Sequence, residues 1–356
     1  MTRPRILHVT REFSDLALGG IEQSILLAAH DGRYAHQVLA LGHKGEQAES
    51  NCNGLSVVRV FPQGSVKFFP WSLAWLRVLR ELSEQVDIIH LHSPFPLGEL
   101  SVFHFKKPVI CSYHADIVNY GVMGRLYNAI QRVMIRQSAS VIATSKAYAR
   151  SSKTLQRLSN PLSIVPFGLP KDSVDPEPPQ SRLPPRFFLF IGSKRRYKGL
   201  STLLDAARLS HCSVVIAGGG QAQEACDSYS EHVVWLGGVT DAEKAWLLQK
   251  ADALILPSTS RAEAFGLVLL EAMRAGRPCI STRLGTGTDW VVVDKQTGLV
   301  VEPNRPDQLA EAMRRLYQNP KLREEMGGAG RVRFEQEFSL ACYHQGLDTV
   351  YQRVLV

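Results

Sequence analysis

The chain has 356 residues, of which 45% are hydrophobic and 21% are charged, and this balance is typical of a globular protein long enough for two domains. Its six cysteines lack Cys-x-x-Cys spacing, which favours reduced thiols in the cytoplasm over disulfides or a zinc site. No apolar run approaches the roughly 20 residues that cross a bilayer, and a short strand follows the N-terminus at once, so we expect neither a membrane span nor a signal peptide.

The net charge of +8 lies mostly in the first half of the chain. Residues 1–170 hold 18 Lys and Arg against 11 Asp and Glu, whereas the remainder holds 23 against 22. The segment 117–171, called the basic segment below, contains no acidic residue and carries Arg125, Arg132, Arg136, Lys146, Arg150, Lys153, Arg157 and Lys171. A solubilising surface, nucleic acid binding and contact with anionic lipid are all consistent with such a segment.

Of these, we expect peripheral contact with the anionic cytoplasmic face of the inner membrane. Phe68, Phe69 and Trp71 stand beside basic residues and would serve as apolar anchors. No nucleic acid partner is expected, because aromatic and basic residues do not alternate on a predicted strand.

The first half predicts one doubly wound α/β domain over residues 1–170. Gly19 and Gly20 follow the first strand and open a helix, where glycine lets a backbone approach a phosphate or a sugar closely. The spacing is not Gly-x-Gly-x-x-Gly, so a dinucleotide site is not supported. Strands alternating with helices are predicted at 5–10, 36–41, 57–61, 87–92, 108–113, 140–144 and 163–166.

Polar residues follow two of these strands. His90 and His92 share a strand face, but no carboxylate accompanies them at ligand spacing, so no metal is expected. His114 and Asp116 follow the strand 108–113 at its carboxyl end, where ligands of open α/β sheets collect.

Residues 171–185 are rich in proline and polar side chains and are predicted to link the two domains. A second α/β domain is expected over 186–333, and 334–356 is expected to form a last helix. Strands are predicted at 186–191, 213–217, 233–236, 253–256, 278–281 and 298–301.

The stretch 257–298 carries the strongest functional signal. Glu263 and Glu271 stand eight residues apart around an apolar run, and a helix opening at 264–266 would place both on one stripe. Free N–H groups and the dipole at the start of that helix favour an anion, so a polyol joined to a phosphate would suit the site.

Several motifs together resemble family-4 retaining glycosyltransferases of the GT-B fold. They are Glu-Ala-Phe-Gly-Leu at 263–267, Glu-Ala-Met-x-x-Gly-x-Pro at 271–278, Ser-Thr-x-x-Gly-Thr-Gly-Thr at 281–288 and Thr-Gly-Leu-Val-Val at 297–301. Gly-Gly-Ile-Glu-Gln at 19–23, His-x-His-x-Pro-x-Pro at 90–96, Tyr-His-Ala-Asp-Ile-Val at 113–118 and Ile-Ala-Thr-Ser at 142–145 look most like bacterial mannosyltransferases of O-antigen and exopolysaccharide assembly. The resemblance implies two facing Rossmann-like αβα domains with a cleft between them, and a last helix that crosses back to the first domain.

The resemblance also implies roles for single residues. His114 would lie beside the donor sugar, with its carbonyl near the anomeric carbon, and Glu263 would bind sugar hydroxyls. Glu271 would hold the ribose, and Lys198 would contact the diphosphate. The remaining expected donor-side residues are Gly19, Gly20, Lys194, Phe265, Gly266 and Leu267. The expected acceptor-side residues are Asp116, Pro94 and Phe95.

Two positions depart from the family pattern. Ser193 stands where the family usually has an arginine that pairs with the diphosphate, so Lys194 or Arg195 is expected to compensate. Gly168-Leu169-Pro170 replaces the usual Gly-Ile-Asp, so the acid of that motif is lost.

The expected activity is retaining, metal-independent transfer of a hexose, mannose or a deoxy relative such as rhamnose, from a GDP-sugar. The expected acceptor is a lipid-linked or growing glycan in lipopolysaccharide or exopolysaccharide biosynthesis. The alternatives are a UDP-sugar donor and a non-transferase GT-B enzyme such as a sugar-nucleotide epimerase, which would turn over the nucleotide sugar without an acceptor.

Overall fold

The computed structural model describes residues 3–14, 19–43, 45–66, 69–101, 104, 106–117, 121–172, 174–219 and 232–356. The chain forms two compact units. The first unit comprises residues 1–167 and 341–356, and the second comprises 168–340. These bounds differ from the predicted segments, since the predicted linker 171–185 and residues 334–340 fall within the second unit.

The first unit is built on an eight-stranded sheet. Its strands are β1 (Arg5–Glu12), β2 (Ala35–Leu41), β3 (Glu49–Cys52), β4 (Leu55–Val60), β7 (Ile88–Ser93), β8 (Val109–Tyr113), β9 (Ser140–Ala143) and β10 (Leu162–Ile164). A separate antiparallel pair, β5 (Gly64–Val66) and β6 (Phe69–Trp71), was not predicted from the sequence. The order β10-β9-β8-β7-β1-β2-β4-β3 is parallel except for the β3–β4 pair. The chain therefore reverses its direction of winding between β1 and β7, and ligands of such sheets bind beyond the strand ends at this point.

The described helices of this unit are α1 (Gly20–Ala29), α2 (Leu73–Ser83), α3 (Pro96–Ser101), α4 (Gly121–Ile135), α5 (Lys146–Ser151) and α12 (Leu340–Leu355). In α2, Trp75 and Leu79 are one turn apart and both are buried, while Leu73 is 78% exposed. The helix thus packs through one face only.

Helix α12 belongs to the first unit from Ala341 onward. The Tyr343 hydroxyl donates to the Ser24 carbonyl over 3.2 Å, and the Tyr351 hydroxyl lies 2.7 Å from Nδ1 of His90. Both tyrosines are buried. The polar ends of large aromatic side chains therefore find partners inside the unit.

The second unit contains six parallel strands. They are β11 (Phe188–Ile191), β12 (Val214–Ala217), β13 (Val233–Gly237), β14 (Ala253–Leu256), β15 (Cys279–Thr282) and β16 (Gly298–Val301). Their order, β13-β12-β11-β14-β15-β16, reverses between β11 and β14. The described helices are α6 (Leu200–Ser210), α7 (Asp241–Lys250), α8 (Leu267–Arg274), α9 (Thr288–Val291), α10 (Pro306–Gln318) and α11 (Pro320–Glu337). Both units thus have the predicted Rossmann-like α/β architecture.

The predicted last helix is divided in the structure. Helix α11 ends at Glu337 and α12 begins at Leu340, so residues 334–356 are not one helix. Phe338, between them, is buried and meets the Trp290 ring edge-on at 5.4 Å between centroids. Among the helices of the described residues, none is long and apolar enough to cross a membrane.

Candidate active site

In the second unit, the loop after β11 is held against the segment after β14. Gly199 has φ +72°, and a Cβ there would lie 1.9 Å from the Pro257 carbonyl oxygen, so only glycine allows this approach. The Thr259 N–H donates to the Tyr197 carbonyl over 2.7 Å and joins the same two segments. The winding reversal between β11 and β14 therefore brings Lys198 to the loop that carries Glu263.

Lys198 and Glu263 form a close ion pair. Lys198 Nζ lies 2.6 Å from Oε2 of Glu263, and Oγ of Ser258 donates to the same oxygen over 3.1 Å. The Lys198 side chain is 15% exposed and that of Glu263 is 8% exposed. Among the described residues, the other carboxylate oxygen of Glu263 has no hydrogen-bond partner. It can accept from a hydroxyl group, while the ammonium group beside it can contact an anion.

Helix α8 begins directly after this loop. Gly266 has φ +82° and precedes the first residue, Leu267, so the helix starts later than predicted. The Phe265 ring is buried and packs near Trp290 and Phe338. The first N–H groups of α8 and its dipole favour an anion at this end.

The predicted helical spacing of the two glutamates is wrong. Glu263 precedes the helix and is placed by loop contacts: its N–H donates to the Ser260 carbonyl over 3.1 Å, and the Thr286 hydroxyl donates to its carbonyl over 2.8 Å. Glu271 lies inside α8. The two carboxylates therefore do not share a helical stripe, and each is positioned by its own contacts.

Glu271 pairs with a lysine that the sequence analysis missed. Lys244 Nζ lies 2.9 Å from Oε1 of Glu271 and 2.9 Å from Oδ1 of Asp241. Burial opposes the charge of Lys244, but Glu271 and Asp241 prevail and raise the pKa of its ammonium group. The start of α7 is fixed by a capping box between Thr240 and Glu243. The spacing of three residues between Asp241 and Lys244 could have predicted an ion pair within α7. It gave no indication that Lys244 also contacts Glu271.

Lys194 lies on the loop after β11 and is exposed. Its Nζ stands 4.4 Å from the centroid of the Trp235 ring, within the range of a cation–π contact. Arg195 is exposed next to it. The loop thus carries cations beside Ser193, where the family pattern has an arginine.

In the first unit, His114 is buried at the carboxyl end of β8. Its Nε2 lies 2.9 Å from Nδ1 of His92, and its ring stacks on Phe167 with 5.8 Å between centroids. Burial lowers the pKa of His114 to about 4, so the imidazole is neutral at neutral pH.

Asp116 is held by three hydroxyl-bearing residues. Its Oδ1 accepts from the Tyr113 hydroxyl over 2.9 Å and from the Ser152 hydroxyl over 2.6 Å. Its N–H donates to the Tyr148 hydroxyl oxygen. Such a carboxylate is well positioned, but part of its capacity to accept hydrogen bonds is already used.

The other first-unit candidates have different surroundings. Phe95 is fully buried and meets Trp75 edge-on at 5.2 Å, so its side chain packs in the core and its predicted contact with an acceptor finds no support there. Pro94 follows Ser93 through a cis peptide bond. Gly19 and Gly20 stand at the start of α1, as predicted. Phe68 and the side chain of Phe69 lie outside the described structure.

Two family models together match almost the whole chain. Residues 18–172 match the model described as Glycosyltransferase Family 4, and residues 173–333 match that of Glycosyl transferases group 1. The chain is 34% identical over 352 residues to "D-rhamnosyltransferase WbpZ" of Pseudomonas aeruginosa, covering 94% of this chain and 92% of that one. It is 33% identical over 351 residues to "O-antigen chain mannosyltransferase C" of Escherichia coli, covering 94% of each.

Solved structures support the fold. A sucrose-phosphate synthase from Thermosynechococcus elongatus superimposes with a TM-score of 0.79 at 19% identity, over 99% of each chain. Anabaena HepE in complex with UDP-glucose superimposes with a TM-score of 0.76 at 15% identity, over 98% of this chain and 99% of that one. The two family models, the two relatives and the shared fold show that the chain belongs to the family-4 glycosyltransferases of the GT-B fold.

Proposed function

We propose that this glycosyltransferase moves mannose or a deoxy relative such as rhamnose from a GDP-sugar to a lipid-linked or growing O-antigen or exopolysaccharide chain, with retention at the anomeric carbon. The observation that carries the proposal is the Lys198–Glu263 pair at the winding reversal of the second sheet. The two relatives named for rhamnosyl and mannosyl transfer support the choice of sugar.

The two residues of the pair would each meet the part of the donor that has the opposite charge. As the glycosyl C–O bond breaks, the sugar gains positive character and the nucleoside diphosphate leaves with negative charge. Lys198 and the first N–H groups of α8, at Gly266 and Leu267, would stabilise the departing diphosphate. Glu263, through its free carboxylate oxygen, would accept hydrogen bonds from the sugar hydroxyls. Glu271 would hold the ribose through Oε2, since among the described residues Lys244 contacts only Oε1.

Donor binding by this route needs no metal ion. The cationic groups named above, together with Lys194 and Arg195, can offset the diphosphate charge. We therefore expect transfer to continue after treatment with a chelator. A loss of activity that added Mg²⁺ restores would contradict this part of the proposal.

The acceptor would be presented at a membrane surface. Besides the basic segment, the first unit has a surface cavity of 440 Å³ lined by Leu76, Leu79, Arg77, Arg80, His104 and Lys106. Leu73, the first residue of α2, is 78% exposed, and Trp71, two residues before it in the chain, is 46% exposed. Apolar side chains beside cations suit an anionic bilayer, so this surface supports the peripheral attachment expected from the sequence.

A panel of nucleotide sugars tests the donor. The purified chain is incubated with GDP-mannose, GDP-rhamnose, UDP-glucose and UDP-galactose, with and without a lipid-linked glycan, and release of the nucleoside diphosphate is measured. We expect GDP release that requires acceptor. Preferential UDP release would favour the UDP-sugar alternative, and conversion of the sugar nucleotide without acceptor would favour an epimerase.

A further inference from the structure

Four imidazole rings form an unbroken hydrogen-bonded row inside the first unit. Nδ1 of His36 lies 2.9 Å from Nε2 of His8, and Nδ1 of His8 lies 3.0 Å from Nε2 of His92. Nδ1 of His92 then lies 2.9 Å from Nε2 of His114. The row crosses β2, β1 and β7 and ends after β8, so it passes through the winding reversal of the sheet.

The rings in this row cannot choose their tautomers independently. A neutral imidazole has one N–H donor and one acceptor nitrogen, and each contact in the row needs one of each. If His8 carries its proton on Nδ1, His92 must accept on Nε2 and carry its own proton on Nδ1. In the same way, His114 must then accept on Nε2 and carry its proton on Nδ1. His36 must donate from Nδ1, because Nε2 of His8 is the acceptor. The row has only two states, with all four protons on Nδ1 or all four on Nε2.

Burial supports a neutral row. Desolvation lowers the pKa of His36 and of His114 to about 4, and it lowers the pKa of His8 and of His92 well below the usual range. His8 and His92 are 0% and 3% exposed. A proton added to any inner ring would be an uncompensated buried charge, so the tautomer logic holds at neutral pH.

A metal ion is the competing occupant of this region. His8, His90 and His92 each have a ring nitrogen within 4.8 Å of the others. However, His90 already contacts the Tyr351 hydroxyl and the Ser112 hydroxyl through its two nitrogens, both at 2.7 Å. His8 and His92 use both nitrogens in the row. Hydrogen bonds therefore occupy every ring nitrogen that a metal would need.

We propose that His36, His8 and His92 are positioning residues that set the tautomer of His114 through this row. The proposal rests on the proposed function and on the role that the family resemblance implies for His114, a position beside the donor sugar. Among the described residues, Nδ1 of His114 has no hydrogen-bond partner, so this nitrogen can meet a ligand. The row determines whether it offers an N–H or a lone pair. At the other end, Nε2 of His36 is buried without a partner.

The row is tested by NMR on the whole chain with ¹⁵N-labelled histidine. Long-range ¹H–¹⁵N spectra distinguish protonated from bare ring nitrogens, and couplings across N–H···N contacts identify bonded pairs. We expect His36, His8, His92 and His114 to report one shared ratio of the two tautomers in the wild-type protein. Different ratios among the four rings would overturn the proposal without any variant.

His8→Leu breaks the row in the middle. We expect His92 and His114 to share a new tautomer ratio, and His36 to have a different ratio that is independent of theirs. The matched control is His90→Gln, because His90 lies on the same strand as His92, is equally buried and stands outside the row. The control should leave the ratio at His114 unchanged. A wild-type ratio at His114 in His8→Leu would contradict the coupling.

Kinetics separate the positioning role from a packing role. In His8→Leu we expect kcat to fall about tenfold, with KM for the nucleotide sugar changed less than about twofold, by analogy with residues that orient a functional imidazole. An unchanged kcat in a variant whose His114 ratio has moved would overturn the positioning role. If no nucleotide sugar is turned over by the wild-type chain, the proposed function fails, while the spectra still decide the coupling.

Discussion

The two units handle buried polarity in different ways. In the first unit, the polar interior beside the strand ends is a neutral row of histidines whose pKa values burial lowers. In the second unit, the corresponding interior holds ion pairs, Lys198 with Glu263 and Lys244 with Glu271. In a neutral row, the tautomer of one ring fixes the tautomer of the next. In an ion pair, either charged residue can bind a charged ligand group in place of its protein partner. The first unit thus buries neutral polar groups next to one another, and the second unit buries charges in pairs.

The largest expected effect is the loss of the Glu263 charge. Glu263→Gln keeps the shape of the side chain but removes the anion that we propose binds the sugar hydroxyls, so turnover should fall by about 100-fold or more. Affinity for GDP should stay nearly intact, because the variant keeps Lys198, the proposed contact of the diphosphate. Steady-state kinetics and calorimetry measure the two quantities.

The matched control is Glu302→Gln, which removes an exposed glutamate whose partner is Arg283. This control should keep wild-type turnover. Retention of most activity in Glu263→Gln would remove the assignment of Glu263 to the donor sugar.

Acidification should distinguish the units. Because folding lowers the pKa of His36 and His114 from 6.5 to about 4 and that of His90 to about 3, the unfolded chain binds more protons below pH 6.5. The free energy of unfolding of the first unit should therefore fall as the pH drops from 6.5 toward 4. The slope is about 1.4 kcal/mol per pH unit for each histidine.

Hydrogen exchange, corrected for the intrinsic effect of pH, measures this response by peptide. Strands β1, β2 and β7 should lose protection between pH 7 and pH 5 before β11 and β14 do. The second unit has only His211 and His232, and neither is buried. An equal loss of protection in both units would contradict the comparison.

The sequence predicted most strands because buried parallel strands are short apolar runs between turn residues, as in 253–256 and 298–301. It failed at Glu263 because positive φ at Gly266 delays the start of α8, and no local pattern reveals that. It noted His90 and His92 but missed their connection to His8 and His36. That connection depends on strand order and register, with His8 opposite His90 across β1 and β7. Side chains far apart in the sequence meet only when that register is known.

A smaller effect is expected at the loop after β11. Lys194→Ala combined with Arg195→Ala removes two cations that stand near Ser193, so GDP affinity should fall by about tenfold. Ser193→Arg should be tolerated, since it restores the family pattern. The control is Arg208→Ala, an exposed change on α6. Equal GDP affinity in the double variant and the wild type would exclude a role for both cations.

The smallest effect concerns the membrane. Each basic residue close to an anionic bilayer adds about 1 kcal/mol, and the attraction fades beyond a Debye length of about 8 Å at physiological salt. We expect co-sedimentation with liposomes that contain anionic lipid at low salt, and release at high salt. The double variant Arg77→Ser with Arg80→Ser should bind anionic liposomes more weakly than the wild type, whereas Arg314→Ser on α10 should bind them equally well. Binding that ignores lipid charge and salt would leave the basic segment as a solubilising surface.

Retaining transfer from a GDP-sugar can be tested by following an isotope label on the transferred sugar. The purified chain is given GDP-mannose or GDP-rhamnose, whichever it turns over in the panel, labelled with ¹³C at C1, together with a lipid-linked glycan. The one-bond C1–H1 coupling of the product is read by NMR. We expect a new glycosidic linkage with the α configuration of the donor, formed together with one GDP per linkage. A β linkage, or label that stays on the nucleotide or appears only as free sugar, would contradict it.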